Sequence, residues 1–231
     1  MNARIQMEEL FNQYSENELI FASKVYSDHF SNVMTEAAYY KNLSRMCKSG
    51  YLYRLSKGVY CRPEKTRFGV ILPSDHQIMQ TFTDKDQGVV VGYSLYNMLG
   101  LTTQISKYTE VYSALLEENV KQIGSVLLKK YILEYSQNSC FVIQMLEILY
   151  HYKEIEDINN AQFIQFCQRF VEQYSDTATD YILKHISYPK WTIAFLREVL
   201  DYYHVENNLS KYLSSLSEYK IPKMEDIYAA A

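Results

Sequence analysis

Residues 35–62 read TEAAYYKNLSRMCKSGYLYRLSKGVYCR, and two periodicities meet inside them. Up to Lys48 the apolar residues Tyr39, Leu43, Met46 and Cys47 recur at helical spacing, which predicts a helix with one face toward a core. Thr35 is placed to cap its start, and Gly50 to adopt the left-handed conformation past its end. Beyond Gly50 the spacing becomes two. Tyr51, Tyr53 and Leu55 alternate with Leu52, Arg54 and Ser56, Lys57-Gly58 punctuates, and Val59-Tyr60-Cys61-Arg62 runs back. Aromatic and branched residues around a Lys-Gly pair predict a tight two-stranded hairpin.

The residues upstream complete a larger unit. Ile5, Met7, Leu10 and Phe11 predict a short amphipathic helix, Leu19-Ile20-Phe21 a small strand, and 22–30 a second helix with Val25, Tyr26 and Phe30 inward. Ser31-Asn32 then turns the chain into the third helix. This order is that of a winged helix-turn-helix, in which the second helix of the pair enters the major groove and the hairpin is the wing. The expected solvent side of that helix holds Ala37, Tyr40, Lys41, Ser44, Arg45 and Lys48. Arg45 can fork onto guanine or pair a phosphate, and Tyr40 can touch a base edge or a sugar, or pack half-buried on the wing.

Charge follows the same boundary. From Thr35 to Arg67 stand Lys41, Arg45, Lys48, Arg54, Lys57, Arg62, Lys65 and Arg67 against only Glu36 and Glu64, a local balance of +6. The whole chain carries −4, so everything outside that window sums to −10. A basic patch on an acidic body points to a localised polyanion site, although a charge run can also be a solvated face.

Past residue 67 the character changes. A run at 69–72 ends at Pro73, Ser74 can cap a helix through about Phe82, and Val89-Val90-Val91 predicts a short buried strand. A helix is expected over 92–100, then strands near 108–113, 119–123 and 126–133 with Gly124-Ser125 as a tight connection. From Ser139 helical patterns dominate: Phe141, Val142, Met145, Leu146 and Leu149, then Phe163, Phe166, Cys167 and Phe170, then Tyr181, Ile182 and Ile186. Pro189 can sit near the start of a helix bearing Trp191, Phe195, Val199 and Leu200, and Leu209, Tyr212, Leu213 and Leu216 form a weaker last pattern. The expected fold class is α+β: an N-terminal winged helix-turn-helix, a mixed α/β section and a helical C-terminal region. The expected domains are 1–67 for DNA binding and 68–231 beyond it, divided into mixed 68–135, helical 136–220 and a loose tail 221–231.

The stretches NLSRMCKSGYLYRLSKGVYCRPE (42–64), GVILPS (69–74) and GYSLYNMLGLTTQ (92–104) together resemble the AbiEi-type antitoxins of bacterial type IV toxin–antitoxin systems. The resemblance covers about Phe21 to Tyr203. It implies a repressor that binds inverted repeats in its own promoter through the amino-terminal domain, as a dimer or cooperatively on DNA. It also implies a carboxy-terminal domain that neutralises a nucleotidyltransferase-like toxin, with a role in phage defence. The matching DNA-binding positions are Thr35, Tyr40, Lys41, Ser44, Arg45 and Lys48 in the helix and Arg54, Lys57 and Arg62 in the wing. The pair Tyr39-Tyr40 departs from relatives that carry basic residues there. Within LGLTTQ, Gly100 permits a turn, and Thr102, Thr103 and Gln104 can lock the following loop onto the sheet or contact a toxin. A winged-helix regulator whose distal domain senses a ligand or dimerises is the alternative.

Catalytic signatures are weak. Asp84 and Asp86 could hold Mg²⁺, but Lys85 stands between them and no phosphate-cradling loop precedes them, so a solvated turn is favoured. The five histidines show no metal spacing, and Cys47, Cys61, Cys140 and Cys167 form no CxxC and read as buried free thiols. No catalytic residue, cofactor or metal is therefore expected. Without a leader or a long apolar run, a soluble cytoplasmic protein without membrane contact is expected. The 23 tyrosines are the compositional oddity, suited to packing with one polar end in water or to a protein interface.

Overall fold

The computed structural model describes residues 3–214 and 216–231. The protein is mixed α/β with helices at both ends, and it divides into two compact units. The first holds the residues up to Thr81 together with Gln122–Gly124; the second holds Phe82–Lys121 and Ser125–Ala231.

In the first unit α1 (Ala3–Phe11) leads to β1 (Ile20–Phe21), α2 (Ala22–Val25) and a π-helical turn, Tyr26–Phe30. Then come α3 (Glu36–Lys48), β2 (Tyr53–Ser56) and β3 (Val59–Cys61). Met7 and Phe11 carry the inward face of α1, whereas Ile5 is exposed. From α3, Tyr39, Leu43 and Met46 are completely buried among Phe11, Ile20, Val25 and Phe30. Each such aliphatic side chain contributes about 1.5–3 kcal/mol by leaving water. The strands form one antiparallel sheet in the order β1-β3-β2, with Ile20 opposite Tyr60 and Tyr53 opposite Cys61.

The hairpin departs from the expected strict alternation. Its register shifts between Arg54 and Ser56, so Leu52 is buried while Tyr53 and Arg54 are both exposed. The positive φ falls on Gly58 (+76°) and not on Lys57. A type I′ turn needs both central residues there, so this connection is of another type, and the bulge restores the strand twist.

A second hairpin follows that the sequence reading did not anticipate. β4 (Glu64–Thr66) pairs antiparallel with β5 (Gly69–Ile71), with Arg67 and Phe68 at the tip. Its strands are short and lack an alternating apolar face, which is why periodicity is silent there.

α4 (Asp75–Thr83) follows, opened by a capping box in which Ser74 Oγ accepts from the Gln77 amide and Gln77 Oε1 accepts from the Ser74 amide. Next come β6 (Gly88–Val91), α5 (Gly92–Met98), β7 (Thr109–Ser113), β8 (Val120–Ile123) and β9 (Val126–Lys130). Their sheet has the order β6-β7-β9-β8, antiparallel at β6/β7 and parallel at β7/β9. Against it the second unit packs α6 (Gln137–His151), α7 (Asn160–Glu172), α8 (Asp176–His185), α9 (Lys190–Tyr202) and α10 (Met224–Ala229) around one continuous apolar core.

Three expectations for the second unit change. The segment from residue 221, expected to be a loose tail, carries α10, with Met224 and Ile227 buried. Two well-spaced apolar residues suffice for so short an amphipathic helix, and composition alone hides them. The pattern at 209–216 yields only a 3₁₀ turn at Leu209–Tyr212, with Leu216 exposed. LGLTTQ does not lock onto the sheet. Thr102 Oγ1 donates to the Glu156 carbonyl, the Gln104 amide side chain donates to the Glu156 carboxylate, and the Asn159 amide donates to the Leu101 carbonyl. The motif therefore fastens the loop after α5 to the α6–α7 connection, and Thr103 is exposed. Among the described residues, no helix is long and apolar enough to cross a membrane.

Candidate nucleic-acid interface

The solvent face of α3 is set by the same period that buries the opposite face. With Tyr39, Leu43 and Met46 inward, residues Ala37, Lys41, Ser44, Arg45 and Lys48 share one exposed stripe. No ion pair among the described residues engages Lys41, Arg45 or Lys48. Glu36 is the only acid on the helix and stands in its first turn, where a carboxylate suits the dipole. Thr35 caps the helix, its hydroxyl accepting from the Ala38 amide at 3.3 Å. That bond fixes the start of the stripe.

Tyr40 is half-buried, its ring edge-on to that of Tyr39 with centroids 5.5 Å apart. It therefore flanks the stripe and does not project from it. Tyr39 is completely buried between the rings of Tyr26 and Phe30, and its hydroxyl has no hydrogen-bond partner among the described residues. Burial pushes that phenol well above the ordinary tyrosine range, so it stays neutral.

The hairpin supplies two further exposed cations. Lys57 stands at the turn, and Arg54 lies opposite Tyr60 with its Nε donating to the Ser56 carbonyl at 3.3 Å. Burial pushes the Cys47 thiol and the Tyr60 phenol up, and the Arg54 guanidinium beside both pulls the other way. The last turn of α3 carries Arg45 and Lys48 along with Cys47.

Arg62 ties parts of the first unit together. Its Nη1 donates to the carbonyls of Tyr14 (2.7 Å) and Asn12 (3.2 Å), tying the end of α1 to the hairpin. Tyr51 does the same from the other side, its hydroxyl bonding the Glu8 carbonyl and Asn12 Oδ1. A guanidinium whose Nη1 meets two carbonyls is a clamp, and its cation adds to the field of the basic patch. Lys65 and Arg67 are carried on the second hairpin, with the Arg67 guanidinium 4.6 Å from the centre of the exposed Phe68 ring.

Asp84 and Asp86 lie in an exposed 3₁₀ turn in which Lys85 and Asp86 have left-handed φ. Among the described residues no group of three or more His, Cys, Asp or Glu side chains is gathered as a metal site.

A family model described as a family of unknown function, DUF6088, matches residues 7–168, spanning α1 to the middle of α7. No curated protein matches the chain.

Proposed function

The chain belongs to the DUF6088 family, and we propose that it is a repressor that binds its own operator through a winged helix-turn-helix, and the antitoxin to a nucleotidyltransferase-like toxin. In this reading α2 with its π-helical turn and α3 form the helix pair, and β2–β3 is the wing. α3 lies in the major groove, Lys41, Ser44 and Arg45 reach base edges or phosphates, and Lys48, Arg54 and Lys57 hold the backbone. The observation that carries the reading is the exposed stripe of Lys41, Arg45 and Lys48, without ion pairs among the described residues and beside the exposed Arg54 and Lys57. A stable fold gains nothing from like charges gathered on one helix face, which repel by a few tenths of a kcal/mol per pair. A polyanion turns that cost into affinity.

A gel shift of the full chain on the duplex upstream of its own gene, at about 50 mM salt, is expected to show a retarded complex. Absence of a complex there overturns the reading. Replacing Arg54 or Lys57 is expected to weaken binding to all duplexes alike, whereas Arg45→Ala or Lys41→Ala also relaxes sequence preference.

The antitoxin half rests on the resemblance carried by 42–64, 69–74 and 92–104. Its test is co-expression with the neighbouring toxin gene: R54A/K57A is expected to rescue growth as the wild type does, and failure to rescue returns the protection to repression alone. A second reading, a winged-helix regulator whose second unit senses a ligand, is favoured by a tyrosine-lined cleft in that unit. Operator binding is common to both, and a toxin gene beside this one separates them.

A further inference from the structure

The second unit holds a cleft of about 480 Å³ where three parts of the fold converge. β7 and β9 supply Tyr112 and Lys129, which are register partners near the carboxyl ends of two parallel strands, with Tyr131 just beyond. α6 supplies Glu147, Tyr150 and His151, spaced to lie on one face, and the α8–α9 loop supplies Tyr188. Carboxyl ends of parallel strands are a recurrent place for ligands, because the diverging connections leave a crevice there.

Glu147 decides the chemistry of this cleft. It is the one acid in an otherwise apolar stretch, Met145-Leu146-Glu147-Ile148-Leu149, and its side chain is only 7% exposed. Tyr188 donates to its Oε1 at 2.6 Å, and the Tyr112 phenol lies close enough to feel the same carboxylate. Burial and the adjacent carboxylate push both phenols far above the ordinary tyrosine range, so both remain donors. Two neutral phenols do not neutralise a buried carboxylate, which has about four acceptor positions. His151 Nε2 stands 3.9 Å from it, beyond hydrogen-bonding distance, and the other ring nitrogen is held by Glu154 at 2.6 Å. Lys129, the cation on the rim, is paired with Glu110 at 2.7 Å. The cleft thus offers an incompletely matched anion at its floor and aromatic walls around it, and aromatic faces attract cations.

We propose that this cleft is a binding site for a small organic cation, an amine or guanidinium, whose N–H groups meet Glu147 while Tyr131 and Tyr150 wall its alkyl stem. An anionic ligand would meet Glu147 head-on, and a wholly apolar one would leave the carboxylate as it is. The cleft lies entirely within the second unit, so cation binding and DNA binding are measured separately.

Trp191 is the only tryptophan in the chain and stacks on Tyr150, with ring centroids 5.6 Å apart and planes 29° from parallel. Its fluorescence therefore reports on the cleft wall. Titrating the full chain with agmatine is expected to give a saturable change, and titrating with glutarate, a dianion of similar length, none. Glu147→Gln keeps the shape and the acceptor oxygen while removing the charge, and is expected to weaken agmatine binding by about tenfold or more. Should that variant unfold, Tyr131→Leu supplies the second arm, with a loss of several-fold read by calorimetry. No saturation with agmatine, a preference for glutarate, or equal agmatine affinity in E147Q and wild type would each overturn the proposal.

Discussion

The face of α3 and the cleft beneath β7 and β9 handle charge in opposite ways. On α3, Lys41, Arg45 and Lys48 project into water, with no ion pair among the described residues. In the cleft, Glu147 is nearly removed from water and wrapped in phenols. The first arrangement costs the fold little, since exposed cations remain hydrated, and is ready for a large, highly charged surface. The second ties stability to charge, because a buried carboxylate and its donors depend on one another. The two regions should therefore respond in opposite senses to mutation.

The sharpest separation comes from removing charge in each. K41A/R45A/K48A is expected to lower operator affinity about a hundredfold while leaving the melting temperature nearly unchanged, as measured by anisotropy and by calorimetry. Glu147→Ala should do the reverse, costing roughly 2–4 kcal/mol by stranding the buried Tyr188 phenol and opening a hole beside it, with operator affinity preserved. Loss of DNA binding in E147A with its fold intact would break the distinction.

Within the first unit Arg62 and Lys57 make a smaller version of the same contrast. Arg62→Ala releases the Asn12 and Tyr14 carbonyls and is expected to destabilise by about 1–2 kcal/mol in a denaturant titration, whereas Lys57→Ala falls within about 0.5 kcal/mol of wild type. Tyr39→Phe removes a buried hydroxyl without a partner among the described residues and is expected to stabilise by about 1 kcal/mol. A loss of stability in Y39F would mean that the hydroxyl is satisfied.

A further effect is alkaline and common to both units. Burial pushes Cys61 and Cys140 up to about 11 from an ordinary value of 9.0. Because the folded pKa lies above the unfolded one, the contribution is complete below about pH 9 and is lost as pH rises toward 11. Unfolding titrations across that window should show stability declining, and C61S should flatten the decline.

What could be read from residues alone follows from what periodicity reports. The buried faces of α3, α6, α7 and α9 repeat apolar residues over three or more turns, and the stripe opposite Tyr39, Leu43 and Met46 followed directly. Thr35, Ser74 and Gly50 marked ends because capping needs particular chemistry at particular positions. The second hairpin escaped because Glu64-Lys65-Thr66 and Gly69-Val70-Ile71 are too short to show alternation. α10 escaped because only Met224 and Ile227 anchor it. Arg62 read as one more cation of the patch, since composition does not say which carbonyls a guanidinium will meet. Glu147 does leave a signal in the sequence: a single acid between Leu146 and Ile148 on an apolar helix face has to find donors or a cation once buried.

The salt dependence of operator binding tests the central claim most directly. With about six phosphate contacts, log affinity should fall with log salt at a slope near −5, about a thousandfold between 50 and 200 mM, and K41A/R45A/K48A should make that slope shallower by about one for each of the three that meets a phosphate. Identical slopes for wild type and variant, or no complex at 50 mM salt, would contradict an operator-binding role for the α3 face.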